Sequence, residues 1–272
     1  MSHDVRTPIN GIQGCVDIAD RYPDDLKLQQ EARTKIRTAS GYLLNLVNDV
    51  LDMNKLESGN IQLERKHFNL LEVLHNTNEI IRVQANESGV NYYVEDGEII
   101  HTQLIGSPVH FQQILMNIGS NAVKYNQDGG SVTVSCREVS YTDTTAEYEL
   151  TCTDTGIGMS EEFQKKAFEP FAQEGQSART KYAGTGLGLA IAKKLIELQG
   201  GTLFFESIQG KGTKFILRIP FEISAEEQEK KSHMYQNCSV EGVQVLLVED
   251  NELNMEIAEF MLKEKKMKVT KA

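Results

Sequence analysis

Residues 111–126, FQQILMNIGSNAVKYN, place Asn117, Asn121 and Lys124 at i, i+4 and i+7. On a helix these three share one face, and Ile114, Leu115 and Ile118 take the opposite, apolar side. Two amides and an ammonium suit a hydrated magnesium ion and phosphate oxygens, because amide carbonyls are hard oxygen ligands and lysine is a point charge for phosphate. A solvated polar helix face explains the same three residues, so the rest of the chain has to decide.

Two further clusters bear on it. In LTCTDTGIGM, residues 150–159, a strand ends in Asp154 and runs into a turn with Gly156 and Gly158. A carboxylate at a strand end accepts a hydrogen bond from a purine amino group, and glycines let the backbone approach the ring and the phosphates. A plain tight turn explains the glycines equally well. In YAGTGLGLAIAKKL, residues 182–195, Gly184, Gly186 and Gly188 lead into a helix, whose first N–H groups and dipole favour an anion. The G-x-G-x-G spacing fits neither the dinucleotide fingerprint nor the P-loop, so it reads as a phosphate loop of another kind.

Around these clusters the texture is mixed. Helical stretches near 70–88, 108–125 and 187–199 alternate with strand-like runs VNYYV, TQLIG, SVTVSCREV, YELTCTD, GTLFFES and GTKFILRIPF. Ser107 and Pro108 read as N-cap and N1. Strands close in sequence and joined by hairpin-length turns predict a mixed sheet with helices on one face.

Upstream, Val5, Ile9, Ile12, Val16 and Ala19 are spaced four, three, four, three, and Ile36, Ala39, Leu43, Leu46 and Val50 repeat the rhythm, with Leu44, Val47 and Leu51 widening the stripe. RYPDD separates the two runs, and Gly59 closes the second as a C-cap. A hairpin with two such stripes is expected to dimerise into a four-helix bundle; packing onto its own downstream domain is the alternative. The fold class is therefore α+β, with a helical hairpin over 1–60 and an α/β sandwich over 66–222. Residues 223–242 are charged and aperiodic, a linker. Residues 243–272 give an apolar strand, an acidic turn and an amphipathic helix, too little for an independent core.

With 28 Lys and Arg against 39 Asp and Glu, the 272-residue chain carries a net charge of −11, which leaves no electrostatic footprint for nucleic acid. No apolar run of about 18 residues predicts a membrane span, and residues 1–20 lack the apolar region of a signal peptide. Cys15, Cys136, Cys152 and Cys238 form no C-x-x-C pair and read as free thiols of a reducing, cytoplasmic compartment.

Together, SHDVRTPIN, NIGSNAVKY, DTGIGM, FEPF and GTGLGL, in that order over residues 1–221, resemble the H, N, G1, F and G2 boxes of sensor histidine kinases. VLLVEDNELN resembles the start of a response-regulator receiver domain, as in hybrid kinases. The resemblance implies a Bergerat-type ATP-binding domain and a homodimer formed through the hairpin. It also implies ATP and Mg2+ as cofactors and, as partner, a receiver domain of the same or another chain. It makes His3 the phosphoacceptor, with Asp4 polarising its imidazole and Thr7 placed to help water attack the phosphorylated regulator. It puts Asn121 on magnesium with Asn117 beside it, Lys124 and Tyr125 near the phosphates and Asp154 on the adenine amino group. Gly156, Gly158, Phe171, Gly184, Thr185, Gly186, Leu187 and Gly188 complete the site. Residues 172–183 are the expected lid, where Lys181 and Arg179 are candidates for phosphate contact; Arg179 lies one position early and Ala183 replaces a common glycine. Glu249 and Asp250 match a receiver's acidic pair, whose acceptor aspartate this sequence does not contain.

Asn117 stands where ATPases of the gyrase, mismatch-repair and heat-shock chaperone type carry a glutamate base. An amide cannot act as a base, so negligible steady-state ATPase is expected. A non-catalytic ATP-binding scaffold, or a regulator phosphatase, is the alternative function. His3 lies in the first helical turn, where ends fray. The sequence therefore reads as an internal piece of a longer protein, less active than a version extended upstream, and membrane attachment of the intact protein stays open.

Overall fold

The computed structural model describes residues 2–59, 61–174, 185–224, 242–248 and 252–271, the side chains of residues 2–4, 252 and 253 excepted. The chain divides into two compact units, Met1–Ala225 and Glu226–Ala272.

The first unit begins with the hairpin. Helix α1 (Ser2–Arg21) runs on through Pro8. Asp25 then opens α2 (Leu26–Glu57), its carboxylate accepting the Lys27 and Leu28 N–H groups, two donors that would otherwise lack partners. Gln29 ties the turn back by donating to the Ala19 carbonyl at 2.6 Å. Ser58 caps α2 and Gly59 follows at φ +68°, the left-handed exit expected at a helix end.

The sandwich follows as β1 (Lys66–Asn69), α3 (Leu70–Glu87), β2 (Asn91–Glu95), β3 (Gln103–Gly106), α4 (Pro108–Lys124), β4 (Ser131–Tyr141) and β5 (Thr145–Asp154). It ends with α5 (Glu161–Gln164), α6 (Gly188–Leu198), β6 (Thr202–Ile208) and β7 (Gly212–Ile223). The sheet order is β1-β3-β7-β5-β4-β2, with β6 also pairing β7. All pairings are antiparallel except β2 with β4, so the sheet is mixed. Along β5, Ala146, Tyr148, Leu150, Cys152 and Asp154 alternate inward. With Leu217 and Ile219 of β7 the first four of these meet Phe111, Ile114 and Ile118 of α4 and Ile191 and Leu195 of α6 in one core. Helices thus cover one face, as the pattern predicts.

On the opposite face Glu149 lies across from Arg137 on one neighbouring strand and Arg218 on the other. Their guanidinium Nε atoms donate to its carboxylate at 3.0 and 2.9 Å and hold that carboxyl below the usual range.

The short edge strand β1 escaped the sequence pattern: four residues are too few to display an alternation. Ser107 occupies the N-cap position before Pro108, but its side chain caps no backbone N–H. Its hydroxyl pairs with His110 Nδ1 at 2.6 Å instead, a side-chain partner three residues along that outcompetes the cap.

The second unit pairs β8 (Gln244–Leu247) in parallel with β9 (Lys268–Lys271), joined through α7 (Glu252–Glu264). The expected strand and helix are both present there, the acidic turn between them lies outside the described residues, and β9 adds a strand that the sequence pattern did not announce. Glu249 and Asp250, Cys238 and most of the linker lie outside the described residues. Among the described residues no helix is long and apolar enough to cross a membrane.

Candidate nucleotide site

A cleft of about 770 Å3 opens beside α4, within the size range of small-molecule sites. Asn117, Asn121, Lys124 and Tyr125 line it from α4, and Asp154 and Gly158 from the end of β5 and its turn. Thr185, Gly186 and Gly188 border it at the start of α6. Three clusters separated by dozens of residues in sequence therefore share one wall.

Asp154 is a buried carboxylate of the cleft wall. It is 7% exposed, and the Gly156 and Thr213 N–H groups donate to its Oδ1 at 2.8 and 3.2 Å. Both bonds fall on Oδ1; Oδ2 accepts none among the described residues. Burial pushes the carboxyl up to about 6, the two backbone N–H groups pulling it back down. A raised carboxyl pKa means that the folded protein holds the proton more tightly than the unfolded chain. Stability associated with this group therefore falls as pH rises from the ordinary value through about 6. An amino donor arriving at Oδ2 favours the carboxylate, so binding is linked to proton loss. Affinity for ADP is expected to drop roughly tenfold per pH unit below that point, beyond any slope shown by Asp154→Asn. Calorimetry at pH 5 and 7.5 checks this, and parallel slopes in the two proteins would overturn it.

Gly156 and Gly158 serve the protein's own backbone. A Cβ on Gly156 would lie 2.3 Å from the Tyr125 carbonyl oxygen, and one on Gly158 (φ +62°) 2.1 Å from that of Ile208. The turn after Asp154 is wedged between the end of α4 and the β6–β7 hairpin, which holds the carboxylate in place. Gly158→Ala is expected to cost about 3 kcal/mol or more, from left-handed strain plus the backbone collision. Chemical denaturation measures it, and a loss under about 1 kcal/mol would contradict the collision.

On α4, Asn117 Nδ2 is buried with no hydrogen-bond partner among the described residues, an orphan that an incoming acceptor would satisfy. A Cβ on Gly188 would sit 3.4 Å from Asn117 Oδ1, an ordinary contact distance, so the start of α6 packs directly beside this amide. The Lys124 ammonium packs 4.7 Å over the Tyr125 ring and lies 3.2 Å from its hydroxyl. Burial lowers the Lys124 pKa and raises that of Tyr125. The Leu187 N–H donates to Thr185 Oγ1 at 3.1 Å, and the Leu187 side chain is fully buried in the core. It supports the loop without lining the cleft. Phe171 adopts φ +64° and donates its N–H to the Gly186 carbonyl at 3.0 Å; it braces the loop from outside the lining. Lys181, Gly184, Arg179, Ala183 and most of the expected lid lie outside the described residues, as do the side chains of His3 and Asp4.

The structure adds residues that no motif announced. From α2, Asp49 and Asp52 face into the cleft, and Ser120, Met159 and Phe215 complete its wall. Asp49 and Asp52 look in the sequence like ordinary polar positions of an amphipathic helix; only the docking of α2 turns them inward.

An orphaned amide, an open carboxylate oxygen and a glycine-led helix start in one cleft, behind a helical hairpin, define a candidate nucleotide-binding site. Comparison with known proteins agrees. Residues 106–223 match the family model described as histidine kinase-, DNA gyrase B- and HSP90-like ATPase, and residues 1–59 match the His Kinase A phospho-acceptor domain. The autoinducer 2 sensor kinase/phosphatase LuxQ of Vibrio vulnificus is 33% identical over 93% of this chain and 30% of its own length. Hybrid signal transduction histidine kinase A of Dictyostelium discoideum is 36% identical over 81% of this chain and 10% of its own. A crystal structure of full-length ShkA in complex with AMPPNP superposes with a TM-score of 0.60 at 24% identity, covering 100% of this chain and 54% of that one. The chain belongs to the sensor histidine kinases, and it spans less than a third of the length of its LuxQ relatives.

Proposed function

We propose that this chain is the core of a two-component sensor histidine kinase. It phosphorylates His3 from ATP and passes the phosphoryl group to a receiver-domain aspartate. The observation that carries the nucleotide half is the convergence of Asp154, Asn117, Asn121 and Lys124 on one cleft. Asp154 Oδ2 would accept from the adenine amino group, Lys124 and the Thr185–Gly188 loop would neutralise phosphate charge, and Asn121 with Asn117 would hold Mg2+. Among the described residues no three His, Cys, Asp or Glu side chains converge as metal ligands. That fits a cation held by one or two protein oxygens plus the phosphates themselves. When bound, Mg2+ supplies neutralisation of the charge that develops on the phosphates.

On the hairpin, a neutral imidazole needs no special activation near pH 7, because its ordinary pKa is about 6.5. A ring nitrogen of His3 forms the P–N bond, ADP leaves, and the proton lost from the ring passes to solvent or to Asp4. Positioning and charge neutralisation carry the rate. Ile9, Val16, Leu44, Val47 and Leu51 stay largely exposed on the hairpin of a single chain, an apolar stripe that a second hairpin would cover in a homodimer. Thr7, exposed one turn beyond His3, supports a second activity, hydrolysis of the phosphorylated receiver by water with release of inorganic phosphate, since the LuxQ relatives are named kinase/phosphatase.

The test is incubation with γ-labelled ATP and magnesium. Label that is stable in alkali and labile in acid supports the kinase; ATP binding without such label favours the scaffold or phosphatase reading.

A further inference from the structure

Two carboxylates reach the nucleotide cleft from the wrong domain for a phosphate site. Thr185 Oγ1 donates to Asp49 Oδ2 at 2.7 Å, and Gln113 Nε2 donates to Asp52 Oδ2 at 2.8 Å. These bonds pin α2 to both sides of the cleft, to the loop before α6 and to α4. Asp49 sits in a strained electrostatic position: burial raises its carboxyl pKa, the Thr185 hydroxyl lowers it and the like charge of Asp52 raises it again. Lys55, a turn further along α2, is the single cation that this helix contributes to the lining.

Thr185 is thus already engaged. Its oxygen accepts the Leu187 N–H and its hydrogen is given to Asp49, so a phosphate oxygen can take that donor only by displacing the carboxylate. Phosphate charge entering the cleft also meets Asp49 and Asp52 as like charges in a partly desolvated space, where such repulsion is stronger than in water. We propose that Asp49 competes with the nucleotide's phosphates for Thr185, so that filling the site releases the nucleotide domain from α2. Nucleotide and α2 are then alternative partners of one loop, and by linkage whatever loosens α2 tightens nucleotide binding by the same factor. This rests on the reading of the cleft as an ATP site and adds a device by which the hairpin senses its occupancy. Asp49 acts as a positioning residue: it touches the loop that binds the substrate.

The test is calorimetric titration of the full chain, as wild type, Asp49→Asn, Asp49→Ala and Asp52→Asn, with ATP, ADP and adenosine in the presence of magnesium. Asp49→Asn keeps an acceptor for Thr185 and removes the charge; Asp49→Ala removes both. ATP is expected to bind about tenfold tighter to Asp49→Ala, with Asp49→Asn and Asp52→Asn intermediate and adenosine unchanged. Hydrogen exchange of residues 45–55 gives the second readout. ATP should raise exchange there in the wild type, while Asp49→Ala should exchange fast without nucleotide. Unchanged ATP affinity in the Asp49 variants would overturn the competition. Weaker ATP binding with adenosine unaffected would also overturn it, and would make Asp49 a holder of the metal. If no form binds any adenine compound, the ATP reading itself fails, an outcome distinct from equal binding by all four proteins.

Discussion

His3→Gln is expected to eliminate all acid-labile phosphorylation while leaving nucleotide affinity within about twofold of wild type. Glutamine matches the imidazole in size and polarity and sits comfortably in a helix, but its amide nitrogen is not a nucleophile, because its lone pair is delocalised into the carbonyl. The expected effect on labelling is total, since nucleophilic catalysis has no partial substitute. Asn121, Lys124 and Asp154 line a cleft built from α4 and β5, so ATP binding serves as the internal control for folding. Residual acid-labile label in His3→Gln would place the acceptor at one of the other histidines: His67, His75, His101, His110 or His233. Of these, His67, His101 and His110 each hold a side-chain partner through Nδ1, namely Ser224, Glu138 and Ser107.

Asp154→Ala is expected to weaken ATP binding about a hundredfold, the loss of one charge-assisted hydrogen bond in a water-poor site. The same change strands the Gly156 and Thr213 N–H groups that now donate to Oδ1, so a stability loss of about 1–3 kcal/mol accompanies it. Asp154→Asn separates the two effects. Its carbonyl still accepts from the backbone, and its amide can face the O6 acceptor of guanine, which the native carboxylate repels. Preference for ATP over GTP should therefore fall in the asparagine variant more than overall affinity does. Retained preference in Asp154→Asn would move the base-reading role to another residue.

Which residues share the candidate cleft was largely legible in the sequence because its parts are local. Asn117, Asn121 and Lys124 share a helix face by arithmetic alone. Asp154 ends an alternating strand, and glycines ahead of α6 announce a loop. What the glycines are for was legible only in part. Gly156 and Gly158 make room for the carbonyl oxygens of Tyr125 and Ile208, contacts between segments tens of residues apart that no spacing rule contains. Leu187 fell within the same motif as Gly186 and Gly188, yet its side chain goes to the core, because a loop entering a helix must bury one residue to be held.

The two helical stripes, the alternation that sets which face of β4, β5 and β7 is buried, and the residue types of the cleft are all local properties of the chain. These follow from the 3.6- and 2-residue periods, which act over one or two turns. That β6 and β3 take opposite ends of β7, and that Glu149 is clasped by two arginines, became visible in the folded chain alone. The tertiary structure also turned Asp49 and Asp52 from solvent-type positions on a helix into walls of the nucleotide cleft. In each case the partners come from separate elements, and the pairing is set by which surfaces exclude water together, beyond the reach of a local period.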